Sequence, residues 1–295
     1  MSVICFGSLN IDVVMEVDHF VQAGETLSSK SVKIFPGGKG LNQAIACARA
    51  NADTRMAGKI GNDGMFLLNL LKENNVNVDD IYISENLSGT AYIQVDKTGQ
   101  NSILLAANSN HEIDDSMINS VIDKLNENDY LLLQNEINSL DKIIDYAYSK
   151  NIKVCLNPSP MNENITKKML KKVDCIILNE IEGYQITNEK EPNKIIETLK
   201  GLMPESAIVL TLGSKGSYYS KGDELIHQEA YKVEAVDTTA AGDTFTGYFL
   251  SGYTNNKPIK ETLNLASKAA AIAVSKMGAA TSIPLYKEVE SSDLW

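Results

Sequence analysis

The residues best equipped for chemistry lie in one stretch, Val236-Asp237-Thr238-Thr239-Ala240-Ala241-Gly242-Asp243-Thr244-Phe245-Thr246-Gly247, where small residues and two acids separate a strand-like run from a helix-like one. Tyr231 to Val236 alternates as strands do, whereas Tyr248 to Tyr253 and Ile259 to Val274 have helical spacing, so the small residues open a helix. The first amides of a helix have no partner within it, and the macrodipole adds partial positive charge there. With so little bulk at Ala240, Ala241 and Gly242, a phosphate can approach those amides closely, and fixed dipoles of this kind stabilise a phosphoryl group in transfer. Asp243 beside such a phosphate is a poor ligand for it and a good base for a proton leaving an attacking hydroxyl. The structural reading of the same stretch is a first-turn acid favoured by the dipole, with Thr238 or Thr239 as the cap.

The elements that must position this stretch follow from the hydrophobic pattern. Val3 to Gly7, Thr54 to Lys59, Tyr130 to Gln134, Ile152 to Leu156, Cys175 to Leu178 and Ala207 to Leu212 read as buried strands; helical runs such as Leu41 to Ala50, Met65 to Asn74 and Leu140 to Lys150 fall between some of them. Such alternation predicts an α/β fold with a mainly parallel sheet and helices on both faces. Ligands in such sheets gather at the carboxyl ends of the strands. There the sequence places Asn10 and Asp12, then Glu136, Asn157, Asn179 and Glu182, which are expected to converge with Asp243. For Asn157 and Glu180 the preferred reading is a cap or a loop residue.

Asn10 and Asp12 lie two apart, so in an extended segment both side chains share a face and match adjacent sugar hydroxyls; an Asx turn leaving the strand is the other reading. Pro36-Gly37-Gly38-Lys39-Gly40 enters the helix from Leu41 and lacks Walker spacing, which leaves a tight turn or a close approach of backbone to ligand. Gly213-Ser214-Lys215-Gly216 leads into a hairpin, Ser217 to Ser220 and Glu224 to His227, and is either a turn or a phosphate contact. Residues 13–35 and 90–106 alternate without a helical period and predict a small inserted sheet, set against a core of 1–12, 36–89 and 107–295. An inserted sheet suggests a lid whose apolar face needs covering, by the core or by a second copy in a homodimer.

Composition narrows the function classes. The 295-residue chain is 43% hydrophobic, enough for a sizeable core, and its net charge of −11 argues against nucleic acid or an anionic membrane as main partner. An anionic small molecule therefore needs local positive groups or a metal. No stretch reaches the ~20 apolar residues of a membrane span, and no basic region precedes the short apolar run at the N-terminus, which predicts a cytoplasmic protein. Cys5, Cys47, Cys155 and Cys175 show no metal-binding spacing and read as buried thiols; His19, His111 and His227 are scattered in polar segments.

Taken together, Gly37-Gly38-Lys39-Gly40-Leu41-Asn42-Gln43-Ala44 followed by Asp237-Thr238-Thr239-Ala240-Ala241-Gly242-Asp243-Thr244-Phe245 resembles the ribokinase-like (PfkB) carbohydrate kinases, and the resemblance runs from Gly7 to Gly278. It implies a three-layer α/β/α core with a β lid, and transfer of the γ-phosphate of ATP to a sugar. The run after the paired glycines resembles members that phosphorylate the 5-hydroxyl of D-ribose; kinases for deoxyribose, fructose or pseudouridine, and a catalytically silent sugar- or nucleotide-binding regulator, are the alternatives. By resemblance, Asn10, Asp12, Gly38, Lys39, Asn42 and Glu136 hold the sugar, Asp243 is the base, and Gly242 with Ala240 and Ala241 forms the anion hole. Asn179, Thr211, Leu212, Gly213, Ser214, Lys215, Gly216, Gly242 and Ser267 correspond to the ATP site. Glu182 corresponds to an acid that holds Mg2+ through water, and Asp237, Thr239, Ala273, Lys276, Gly278 and Ser282 match a K+ loop built mostly from carbonyl oxygens. At Leu41, Asn135 and Ser267 the chain departs from the family's commonest residues.

Overall fold

The computed structural model describes residues 1–294. Among them the strands are β1 (Ser2–Phe6), β2 (Asn10–Glu16), β3 (Ser31–Gly37), β4 (Asp53–Gly61), β5 (Asn77–Ser84), β6 (Gly89–Val95), β7 (Asn101–Ala106), β8 (Tyr130–Gln134), β9 (Lys153–Asn157), β10 (Cys175–Asn179), β11 (Ala207–Thr211), β12 (Ser217–Lys221) and β13 (Glu224–Gln228). The helices are α1 (Lys39–Arg49), α2 (Met65–Glu73), α3 (Asp115–Ile122), α4 (Leu140–Ser149), α5 (Lys167–Leu170), α6 (Glu180–Thr187), α7 (Pro192–Leu202), α8 (Ala241–Thr254), α9 (Ile259–Val274) and α10 (Tyr286–Glu290).

The main sheet has the order β13-β12-β11-β10-β9-β8-β1-β4-β5, parallel from β11 through β5 and antiparallel only at the β11-β12-β13 edge. Its central strands are apolar along their middle positions because each face has its own core. Val3 and Cys5 of β1 point into the cluster shared with α1, α2, α8 and α9, while Ile4 and Phe6 join the cluster built with α3, α4, α5 and α7. The same division separates Leu132 from Leu131 and Leu133 in β8. This two-residue period, buried on both sides, is what makes the strands read as continuous hydrophobic runs.

From β1 the chain moves outward to β4 and β5, then returns across the sheet to β8 on the other side of β1. The order reverses between β1 and β8, and such a reversal opens a crevice beyond the carboxyl ends of the two strands. Gln134 ends β8, and Ser8, Asn135 and Glu136 follow the two strand ends closely.

The second sheet has the order β3-β2-β6-β7. It starts earlier than the alternation from Val13 suggested: β2 already begins at Asn10 and β3 continues to Gly37, so Asn10 and Asp12 belong to this small sheet. In β2 they lie on one face, where Asp12 is paired with Phe35 and Ala91. The other face carries Ile34 and Leu104, which are 63% and 71% exposed.

One predicted strand is absent. Residues 231–236 form no ladder; they run past the end of α9, where the Val236 and Asp237 amides both donate to the Val274 carbonyl at 2.8 and 3.1 Å. The alternation there has a different cause, since Tyr231, Val233 and Ala235 line a cavity described below. Strand β5 was not anticipated, because Asn77-Val78-Asp79-Asp80 breaks the alternation at a sheet edge.

Helices α1 and α8 carry the two glycine-rich motifs, and they cross where Gly247 has no side chain. A Cβ at Gly247 would stand 2.7 Å from the Cys47 nitrogen and 2.8 Å from the Ala46 carbonyl carbon, closer than backbone tolerates. Gly247 lies one turn after Asp243, so this approach sets how near Asp243 comes to α1. Gly247→Ala is expected to lower stability by about 1–3 kcal/mol through overpacking; urea denaturation checks this, and an unchanged midpoint contradicts it.

Candidate active site

Helix α8 begins without a side-chain cap. Neither Thr238 nor Thr239 fills that role: the cap position is Ala240, held in a left-handed conformation at φ 59°, ψ 10°. Thr239 instead gives its amide to the Asp237 carboxylate at 2.9 Å. A non-glycine residue held in this conformation carries strain, which the surrounding loop must impose. Its effect is to turn the chain sharply, with the Ala241 amide bonded to the Thr238 carbonyl and the Thr244 amide to Ala240. Among the described residues, the Gly242 and Asp243 amides receive no such partner, and Gly242 is exposed. The helix end is therefore open to an anion.

Asp243 itself is buried, 8% exposed. Its two carboxylate oxygens are held separately by α1: Asn42 Nδ2 donates to Oδ2 at 3.0 Å and Gln43 Nε2 to Oδ1 at 2.9 Å. Asp243 stands in the first turn of α8, and the two amides fix the direction of its carboxylate. Asn42 Oδ1 is buried with no partner among the described residues, an acceptor kept available for a ligand.

The other polar residues converge as the topology predicts. Gly38 turns the chain into α1 with φ 93°, and a side chain there would press on the Ser8 carbonyl and the Asn10 amide, each 2.9 Å from its Cβ. Glu136 Oε2 accepts from Ser8 Oγ at 2.5 Å and from the Lys39 amide at 3.1 Å, tying β8 to the start of α1. Burial alone would lower the Lys39 ammonium's pKa, but Asp243, Glu136 and Glu182 outweigh it and raise the value. A chain of net charge −11 thus keeps one firm positive charge where an anion would arrive. Burial, and then the Glu136 carboxylate, push Asp12 up to about 7. The folded protein holds this proton more tightly than the unfolded chain, whose ordinary value is 3.8, so the group's contribution to stability falls as pH rises from about 4 towards 7.

Three contributors were not singled out from sequence. Asn110 donates Nδ2 to Asn10 Oδ1 at 2.7 Å and accepts the Leu9 amide at 3.1 Å. With its oxygen so occupied, Asn10 has its amide nitrogen free to donate. Gln43 and Gln134 complete the set beneath Asp243; Gln43 stood inside the first motif, but nothing local distinguishes it from a helix residue.

Beside the open end of α8 lies a cavity of about 380 Å³. Tyr231, Val233, Ala235, Phe245, Ala270 and Val274 give it apolar walls, with Gly242 and Ala241 at one end and Thr211, Gly213, Ser214, Gly216 and Ser267 elsewhere in its lining. The shape and lining suit a flat heterocycle whose charged tail reaches the helix start. Three expected nucleotide residues are outside this lining: Leu212 is buried in the core, the Lys215 carbonyl bonds His227, and Asn179 caps α6.

Asn179 and Glu182 form a reciprocal capping box at the start of α6, with Asn179 Oδ1 accepting the Glu182 amide at 2.9 Å and Glu182 Oε2 the Asn179 amide at 3.0 Å. Each retains polar atoms beyond those bonds, and Glu182 is buried yet felt by Lys39. Among the described residues no three acids, histidines or cysteines cluster around a metal position, so a divalent ion here would keep most of its water. At the other loop, the Asp237 carboxylate accepts from Thr239 and from the Gly278 amide at 3.0 Å. Burial works against ionisation there, but these donors prevail and Asp237 is held below its ordinary value. They close residues 237–239 against 273–282, with the Lys276 ammonium turned away to Glu288 at 3.0 Å.

This geometry has known counterparts. Residues 1–285 match the model of the pfkB family carbohydrate kinases. The chain belongs to that family. This carbohydrate kinase is 34% identical to a ribokinase of Schizosaccharomyces pombe, over 99% of its own length and 98% of the relative's. The ribokinase of Thermotoga maritima superposes with a TM-score of 0.87 at 32% identity, covering 99% of this chain and 98% of that one. An Arabidopsis thaliana ribokinase complexed with ribose and ATP superposes with the same TM-score at 28% identity, covering 98% and 97%. The kinase's described residues contain no helix long and apolar enough to cross a membrane.

Removal of the Asn110 side chain leaves the buried Leu9 amide unpaired and Asn10 unanchored. Asn110→Leu is expected to lose about 1–3 kcal/mol of stability. Denaturant titration measures it; a variant as stable as the parent contradicts the assignment.

Proposed function

We propose that this kinase transfers the γ-phosphate of ATP to the 5-hydroxyl of D-ribose, giving ribose 5-phosphate and ADP. The observation that carries the reading is the buried Asp243 carboxylate, gripped at both oxygens at the open helix end beside the cavity, with Lys39 close to both it and Glu136. The similarity to ribokinases over nearly the whole chain supports ribose as the acceptor.

In this reading Asn10 donates to, and Asp12 accepts from, neighbouring hydroxyls of the sugar, with Asn42, Glu136, Lys39 and the Gly38 backbone completing the contacts. Asp243 takes the proton of the attacking hydroxyl as its oxygen bonds to the γ-phosphorus and the bond to the β-phosphate oxygen breaks. The Gly242 and Asp243 amides, with Ala240 and Ala241 shaping the turn, receive the charge that spreads over the transferring oxygens. Lys39 adds its positive charge from the sugar side. Apolar walls take the adenine, while Thr211, Gly213, Ser214 and Ser267 supply polar contacts. Glu182, with Asn179 beside it, is the residue for magnesium held through water; when bound, that ion neutralises phosphate charge. Asp237, Thr239, Gly278, Ser282 and the backbone at Ala273 and Lys276 fit a large monovalent cation, potassium, adjusting the entry to α8 without touching substrate.

The small sheet serves as the lid over the sugar, since Asp12 lies on it. Its exposed Ile34 and Leu104 face supports a homodimer through two such sheets.

Two outcomes test this function. Asp243→Asn is expected to lower kcat at least 1000-fold while nucleotide affinity changes little; ADP release measured with a panel of pentoses, hexoses and nucleosides reads both activity and acceptor, and near-parental turnover contradicts the role. Because an ionised Asp12 accepts a hydroxyl hydrogen bond far more strongly than a neutral one, and its carboxyl releases its proton at about 7, the sugar KM is expected to fall up to about tenfold between pH 6 and pH 8. In Asp12→Asn the KM is higher and this pH dependence disappears; an unaltered profile contradicts the contact.

A further inference from the structure

Beneath Asp243 runs a chain of buried amides whose directions are all fixed by one another. A carboxylate only accepts hydrogen bonds, so Gln43 must turn its nitrogen to Asp243, at 2.9 Å, and the same nitrogen reaches Asn157 Oδ1 at 3.3 Å. Its oxygen then faces away and accepts Gln134 Nε2 at 2.7 Å. Gln134 Nε2 also approaches Cys5 Sγ at 3.5 Å, while the Cys5 thiol donates to the Gly40 carbonyl at 3.2 Å and so leaves its lone pair towards Gln134.

Gln43, Gln134 and Cys5 are wholly buried. Gln134 ends β8 at the point where the sheet order reverses, after four apolar residues. Its own oxygen has no partner among the described residues, and it sits against Gly7, where a side chain would collide with it. An unpartnered buried carbonyl opposes folding, and a methionine of similar shape would avoid that penalty. What the amide provides in return is direction: without a donor at Oε1, the Gln43 amide can rotate and present its oxygen to Asp243, where it repels the carboxylate.

We propose that Gln134 is a positioning residue for phosphoryl transfer, acting through Gln43 to hold the Asp243 carboxylate in the direction that receives the substrate's proton. This rests on the role given to Asp243 above. Gln134 itself touches neither sugar nor nucleotide in that arrangement, so its effect is expected on kcat and not on either KM.

The test uses the full-length enzyme with ATP, magnesium and ribose, comparing wild type, Gln134→Met and Gln134→Glu. Misdirection of the base is expected to lower kcat of Gln134→Met about 10- to 100-fold, with both KM values within twofold and a melting temperature equal to or above wild type. Gln134→Glu can donate to Gln43 only when protonated, so its kcat, normalised to wild type at each pH, is expected to fall as pH rises. Wild-type kcat in Gln134→Met, a loss matched by loss of folded protein, or a flat normalised profile for Gln134→Glu would each overturn the proposal while wild type remains active. Wild type that releases no ADP with any sugar would overturn the function reading as well.

Discussion

One contact organises this molecule: the Asp243 carboxylate held by two side-chain amides from α1, 201 and 200 residues earlier in the chain. It joins the start of α8 to the start of α1 and so joins the two glycine-rich motifs. A buried carboxylate without such donors would lack the partners that water gives it. The two amides supply one donor to each oxygen and so fix the direction in which the group faces. The glycine at the helix crossing, the left-handed turn at Ala240 and the strand order around β1 all serve to bring these groups within reach.

Around that contact the site divides by chemistry. On one side lie donors and acceptors suited to hydroxyls, crowded enough that Asp12 and Lys39 both have shifted proton affinities. On the other is an apolar cavity ending at unpaired amides. A strongly acidic protein can receive a polyanion here because its repulsion is local and is answered locally, by the helix end and by one lysine among three carboxylates.

Much of this was legible in the sequence because it depends on short periods. The strands of the main sheet alternate between two cores, and the hairpin at β12-β13 and the helix after Gly242 follow from turn residues and helical spacing. The readings that failed did so where a local pattern had a non-local cause. Tyr231, Val233 and Ala235 alternate because they face a cavity, not because they pair in a sheet. Thr238 and Thr239 look like caps, yet the Asp237 carboxylate takes the Thr239 amide and passes the cap position to Ala240. Leu212 lies inside the predicted nucleotide run but continues the burial of β11. Asn110 and Gln134 could not be recognised, since the first bonds Asn10 across 100 residues and the second bonds Gln43 across 91.

In the proposed reaction Asp243 faces the reacting hydroxyl while the helix end behind it faces the transferred phosphate. The most direct measurement is a crystal structure of the enzyme with D-ribose and a non-hydrolysable ATP analogue. The sugar's 5-hydroxyl is expected within about 2.6–3.2 Å of an Asp243 carboxylate oxygen, and the terminal phosphate against the Gly242 amide. A sugar bound with that hydroxyl turned away from Asp243, or a phosphate chain that never reaches the start of α8, would contradict it.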